Sequence, residues 1–245
     1  MGRYLIMAMA IAIYFAFFGT FLYLIGFVGG FEFMPTHVNK GIAASPATAA
    51  LVDLALIALF GIQHSVMARP GFKAGWTRII PAPLERSLYC LATVVVLVLI
   101  FAFWHPIAGT VWSITNETGR MIMFALFFLG WGVLFISTWL LNHFELFGLQ
   151  QAWQNMMGTH ASPPRMRTPL FYKMVRHPLY TGFFIAFWAT PDMTFGHLLF
   201  AVAMTIYILI GIAHEERDLV DVFGDDYIAY RRTVGAFIPG IGKKA

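Results

Sequence analysis

Arg176-His177-Pro178-Leu179-Tyr180-Thr181-Gly182 sets an arginine, a histidine and a tyrosine against the start of a short apolar run, Phe183–Trp188. Proline fits the first turn of a helix, where its missing N–H leaves nothing unsatisfied. The stretch reads as a polar helix start feeding a hydrophobic segment, Leu179–Thr190, that stops at Pro191. His177 and Tyr180, three apart, share one face of that start. Gly182 lets a second backbone or a ligand come close. Working outward, a further apolar segment, Phe195–Ala213, runs into His214-Glu215-Glu216-Arg217. Asp226-Tyr227-Ile228-Ala229-Tyr230-Arg231-Arg232 and Ile238-Pro239 follow.

Upstream lie four longer apolar segments, Leu5–Phe27, Ala47–Met67, Leu88–Trp104 and Met121–Leu141. These four and Phe195–Ala213 are near the ~20 residues a spanning helix needs. Of the 245 residues 59% are hydrophobic and 11% charged, where a soluble domain carries about 25% charged residues. The expectation is an all-α, polytopic integral membrane helical bundle with about five to six transmembrane helices. Residues 1–245 read as a single domain: a four-helix half (1–141), a cytoplasmic loop (142–178), and a short helical hairpin with its tail (179–245). The first run is too long for a signal-peptide core and is kept as a span. Ser162-Pro163-Pro164 reads as an extended linker. Asp218–Phe223 and Asp226–Arg232 read as two cytoplasmic amphipathic helices split by Gly224. Tyr4, Trp76, Trp104, Trp112 and Trp153 fit interfacial aromatic belts.

Placing both termini in the cytoplasm puts 14 of the 16 lysines and arginines inside, leaving Lys40 and Arg120 outside. A bacterial-type cytoplasmic membrane is the expected location. The two Arg176 and Glu215–Glu216 clusters and Arg231–Arg232 then share the cytoplasmic face. The net charge of +4 is scattered beside membrane segments and points to a lipid bilayer, not to nucleic acid. Cys90 is the only cysteine, so no intrachain disulfide forms. No His-x-x-x-His or Glu-x-x-His pair sits on one helix, so no metal is expected. Asp53, about two turns inside a span, reads as a helix–helix hydrogen bond or a partly wet group.

The order of motifs over Tyr172–Pro239 resembles the catalytic half of the membrane methyltransferases related to isoprenylcysteine carboxyl methyltransferase and phospholipid methyltransferases. The shared pattern is Arg-His-Pro-x-Tyr-x-Gly, a hydrophobic hairpin, Glu-Glu, and a Tyr-x-x-Tyr-Arg-Arg tail. The resemblance implies a site for S-adenosyl-L-methionine. On that basis Glu216 and Glu215 accept from ribose hydroxyls or the ammonium, and Arg176, Arg231 or Arg232 grips the carboxylate. His177 and Tyr180 hydrogen-bond the donor, and Gly182 leaves room for it.

A second resemblance covers most of Phe60–Pro239. Gln63-His64-Ser65, Ala68-Arg69-Pro70, Trp76, Pro83-Leu84-Glu85-Arg86-Ser87 and Asn142-His143-Phe144-Glu145-Leu146-Phe147-Gly148-Leu149-Gln150 are similar to the methanethiol S-methyltransferase family. The Gln-His-Ser piece is also similar to a denitrification-associated membrane family. The first similarity implies a small thiol substrate, methanethiol, converted to dimethyl sulfide. A thiol is mostly protonated at neutral pH, with cysteine near ~8.5 as a guide, so a base within reach helps. Five of the eight histidines, His64, His143, His160, His177 and His214, fall on the cytoplasmic side. His143 or His64 is expected near the thiol, with Glu145 orienting an imidazole. Two other readings stay open: methylation of a lipid-borne acceptor, and a non-catalytic membrane assembly factor.

Overall fold

A computed structural model of the chain describes residues 2–159 and 166–243. In chain order the elements are α1 (Arg3–Gly29), α2 (Pro46–Ala68), α3 (Pro70–Trp76), α4 (Glu85–Phe103), β1 (Thr110–Ser113), α5 (Glu117–Leu141), α6 (His143–Leu146) and α7 (Leu149–Met157). Then come α8 (Phe171–Met174), α9 (Pro178–Trp188), β2 (Asp192–Thr194), α10 (Phe195–Phe223) and α11 (Asp225–Thr233). The protein is an all-α polytopic membrane protein. Among the described residues five helices, α1, α2, α4 with its preceding turn, α5 and α10, are long and apolar enough to cross a membrane, and α9 is a shorter apolar helix of 11 residues. The expected linker Ser162-Pro163-Pro164 and His160 lie outside the described residues.

Helix ends follow local chemistry. Ser45 caps α2, its hydroxyl accepting from Thr48 N at 3.3 Å, with Pro46 in the first turn. Asn116 caps α5 by accepting from Gly119 N at 2.6 Å. Gly30 ends α1 in the left-handed region at φ 65°. Large apolar side chains such as Leu51 and Ile62 of α2 stay exposed, as a helix solvated by lipid allows.

The chain divides into two compact units. The first holds residues 2–109, 143–159 and 194–200. Its core joins Ile6, Ala10, Leu84 and Ala152, and beside it Ile13, Tyr89 and Cys90 with Phe147 and Met67. Cys90 is buried, as its apolar helix implies. Asp53 is fully buried and accepts from the backbone N of His105 at 2.9 Å, tying α2 to the turn after α4. Trp104 is a correction to the sequence reading. It is fully buried, donates from Nε1 to Val38 O at 2.9 Å, and meets Phe27 and Phe200 edge to face, so it is core and not an interfacial anchor.

The second unit holds residues 110–142, 166–193 and 201–243. Its centre is the pairing of α5 with α9. A Cβ on Gly182 would stand 2.6 Å from Gly130 O and 2.7 Å from Leu134 N, and one on Gly130 would stand 2.7 Å from Gly182 O. The two backbones therefore touch, and both positions need glycine. α9 and α10 form the expected hairpin, joined by Trp188 Nε1 donating to Thr205 Oγ1 at 3.0 Å. The far end of α9 is fixed to the segment before α5: Trp112 Nε1 donates to Thr190 O at 3.0 Å, Ile114 N to Pro191 O at 2.9 Å, and Arg120 pairs with Asp192 at 2.8 Å. Asp218–Phe223 is not a separate amphipathic helix. α10 runs unbroken to Phe223, because nothing from Phe195 onward interrupts its hydrogen-bonding until Gly224, at φ 55°, breaks the chain before α11.

These units cut across the boundaries expected from sequence. α5 belongs with the C-terminal hairpin, and α6 and α7 belong with the N-terminal helices.

Candidate functional site

The Arg-His-Pro start, the Glu-Glu pair of α10 and the C-terminal tail meet inside the second unit. Val175 and Gly235 form a parallel bridge, extended by Arg176 N donating to Gly235 O at 2.8 Å and His177 N to Ala236 O at 3.1 Å. Gly235 is crowded by the carbonyls of Ile238 and Ile241, which leave no place for a Cβ. The tail is thus folded back against the motif. Phe237 completes the contact, its ring 6.0 Å from that of His177 and 5.0 Å from that of Phe184.

Arg176 is buried, and its guanidinium is spent on the protein itself. Nε and Nη2 donate to Glu216 Oε1 at 3.0 and 2.7 Å. Nη1 donates to the carbonyls of Arg231, Val234 and Gly242. Glu216 Oε1 also meets His177 Nε2 at 3.1 Å. Glu215 is half-exposed, with Oε2 4.0 Å from His177 Nδ1. The tyrosines of the tail close round this cluster. Tyr230 donates its hydroxyl to Tyr172 O, and burial pushes its phenol up to about 12 against the pull of Arg176. Burial, reinforced by Glu216, likewise drives the Tyr227 phenol upward, and burial with Glu215 does so for Tyr172. All three are neutral O–H groups at physiological pH. Three buried polar atoms here have no hydrogen-bond partner among the described residues: Glu215 Oε2, Tyr227 Oη and Arg231 Nε. Two donors and one acceptor left unpaired in one cluster fit a polar ligand, since a buried orphan costs ~1–3 kcal/mol.

Other expected donor contacts divide. Tyr180 stands beside His177, rings 5.8 Å apart. Arg232 is exposed. At Gly182 the space left by the missing side chain is filled by α5.

In the first unit, His143 opens α6 and is buried. Its Nε2 lies 2.8 Å from Tyr14 Oη, and its ring meets Tyr14, Phe144 and Phe147 edge to face. Burial lowers its pKa below the ordinary histidine value, so it is neutral near pH 7. His64 stacks on Phe60 at 5.2 Å, lies 4.9 Å from the Tyr89 ring, and has Nδ1 3.2 Å from Thr93 Oγ1. Glu145 is exposed, and its carbonyl accepts from Gln151 Nε2 at 3.1 Å. Gly148 turns the chain at φ 88° onto the start of α4, where any Cβ would collide with Ser87. No group of three or more metal-ligating side chains occurs among the described residues.

Over its whole length the chain is 46% identical to a methanethiol S-methyltransferase of Crocosphaera subtropica, covering 96% of that protein. It is 45% identical, over 98% of both chains, to a methanethiol S-methyltransferase of Mycobacterium tuberculosis. The chain belongs to the methanethiol S-methyltransferase family. It is also 30% identical to nurim of Rattus norvegicus over 68% of this chain and 66% of that one. No protein-family model matches the chain, and no solved structure matches it. As a member of this methyltransferase family it is an enzyme that needs a methyl donor.

In this member of the S-methyltransferase family two residues packed against these clusters, Tyr14 and Tyr227, do not stand out in the sequence. Tyr14 sits in an unbroken apolar helix, where nothing but its hydroxyl marks it. Tyr227 was quoted as part of a tail motif, and its i,i+4 spacing to Arg231 is the signal that picks it out.

Proposed function

We propose that the chain transfers a methyl group from S-adenosyl-L-methionine to methanethiol, yielding dimethyl sulfide. The observation that supports the reading best is the closure of Arg176–His177, Glu215–Glu216 and the tail on one another with unpaired polar atoms inside. Near-full-length identity to methanethiol S-methyltransferases supports the choice of thiol.

S-adenosylmethionine, when bound, supplies a methyl carbon made electrophilic by its sulfonium. The residues of this chain do the rest. Glu215 has an oxygen left to accept from an ammonium or a hydroxyl. The faces of Tyr180, Tyr227 and Phe237 attract a sulfonium as they attract an ammonium. Arg176 and Glu216 hold the tail closed, which excludes water and positions the reacting groups. For the thiol we assign His143, with His64 and Glu145 as further candidates. His143 is a neutral imidazole held by Tyr14 and suited to taking the proton that leaves as the new sulfur–carbon bond forms. In the cytoplasmic membrane, with both termini inside, the motif residues face the water-soluble donor.

The test is incubation of the purified protein with labelled S-adenosylmethionine and methanethiol, followed by gas chromatography of the headspace. Labelled dimethyl sulfide is expected. Label in extracted lipid would move the acceptor into the bilayer, and no transfer with no donor binding would favour an assembly factor. In the same assay His143→Ala lowers turnover while affinity for S-adenosylhomocysteine holds. The reverse pattern removes His143 from the thiol.

A further inference from the structure

Three arginines compete for the role of anion grip, and the geometry separates them. Arg176 is fully committed, between Glu216 and three carbonyls of the tail. Arg232 faces outward. Arg231 is half-buried, and its Nε is buried without a partner among the described residues. One turn before it on α11, Tyr227 is 3% exposed, and its hydroxyl is unpaired in the same sense. Positions four apart on a helix are neighbours, about 5–6 Å between Cβ atoms. Both groups carry a hydrogen to donate, because burial keeps the phenol protonated. Two adjacent donors that find no acceptor among the described residues are the complement of a carboxylate.

We propose that the inner face of α11, through Tyr227 Oη and Arg231 Nε, binds the carboxylate at the amino-acid end of the donor, and that Arg176 is a positioning residue. This rests on the donor reading above. Two features fit it. Glu215 Oε2 accepts no hydrogen bond from the described residues of the same unit, and the donor's amino-acid end is a zwitterion whose ammonium needs an acceptor. Arg176 Nη1 holds the carbonyl of Arg231 itself at 3.3 Å, so the motif arginine fixes where α11 ends without touching the ligand. The neighbouring carboxylate of Glu216 does not repel the anion, because Arg176 neutralises it at 2.7 Å.

The experiment uses the full chain in detergent and two probes, S-adenosylhomocysteine and its decarboxylated analogue, titrated calorimetrically. Wild type should bind the intact probe about tenfold or more tighter than the decarboxylated one, the worth of one or two hydrogen bonds to a charged group. Tyr227→Phe and Arg231→Met should each weaken the intact probe by about tenfold and leave the decarboxylated one within about twofold. Ligand-free Tyr227→Phe should melt at the wild-type temperature or above it, since the change deletes an unpaired buried hydroxyl. A purely structural tyrosine would instead melt lower and lose both probes alike, which overturns the proposal. Equal binding of both probes by wild type overturns it too, while leaving the donor reading intact. Binding of neither probe by well-folded wild type ends both.

Discussion

One oxygen, Glu216 Oε1, takes three donors: Arg176 Nε, Arg176 Nη2 and His177 Nε2. Charge is concentrated there in a water-poor spot, with both partners of the ion pair at most 3% exposed. Breaking such a pair from one side leaves an uncompensated buried charge, which costs about 3–5 kcal/mol. Glu216→Ala is therefore expected to lower the melting temperature of the detergent-solubilised protein strongly, and Glu216→Gln, which keeps an acceptor oxygen, less so. Equal melting of Glu216→Ala and wild type would show that Arg176 does not depend on this partner. The residue types of this cluster were legible, because an arginine, a histidine and two glutamates beside apolar runs stand out. Their pairing was not. Arg176 and Glu216 are 40 positions apart, and no local spacing says that the guanidinium turns to a glutamate and three tail carbonyls instead of a ligand.

Among the elements, α9 decides most. At 11 residues it is less than half the length of its 25-residue partner α5. The Gly182–Gly130 contact explains how it serves. Pro178 lies four residues, ~6 Å, beyond that contact along the helix, so α9 starts a few residues short of the level where α5 ends. The polar motif is thereby drawn inward from the end of α5. Adding a methyl group at the contact drives it into backbone, and overpacking of this kind costs about 1–3 kcal/mol. Gly182→Ala should accordingly lower the melting temperature, and Gly130→Ala should match it. If Gly182→Ala melts normally and loses only affinity for S-adenosylhomocysteine, the glycine serves the ligand, as the family resemblance implies. The continuation of α10 past the apolar run was illegible for another reason. Its last turns, Asp218–Phe223, carry polar residues that suit either an extended helix or a new one, and only the break at Gly224 chooses.

For the molecule as a whole, the issue is sidedness. β1 follows α4, and β2 follows α9; the two strands pair, with Ser113 Oγ donating to Asp192 Oδ1 at 2.6 Å. Thus α9, short as it is, returns the chain to the level from which α5 began. With α5 and α10 as spans, residues 110–113 and the tail at 233 are expected on opposite sides of the bilayer. Single cysteines at Thr110 and Thr233, both exposed, should react with a membrane-impermeant maleimide from opposite sides in oriented vesicles. Labelling of both from one side would invalidate the topology. The buried Cys90 leaves this assay a quiet background.

The spans, their order and the polar residues at their ends are properties of local composition. A run of ~20 apolar residues leaves water for lipid whatever the rest of the chain does, and backbone groups in lipid must be satisfied by helix. That much the amino acids determined alone, together with the motifs that mark the family. Tertiary structure decided the grouping of α6 and α7 with the N-terminal helices, the burial of Trp104, the employment of Gly182 and Arg176, and the selection of Tyr14 and Tyr227. Each of these depends on which remote backbone or side chain comes within hydrogen-bonding or van der Waals reach. Such contacts are short-ranged, so they exist only once the chain has folded.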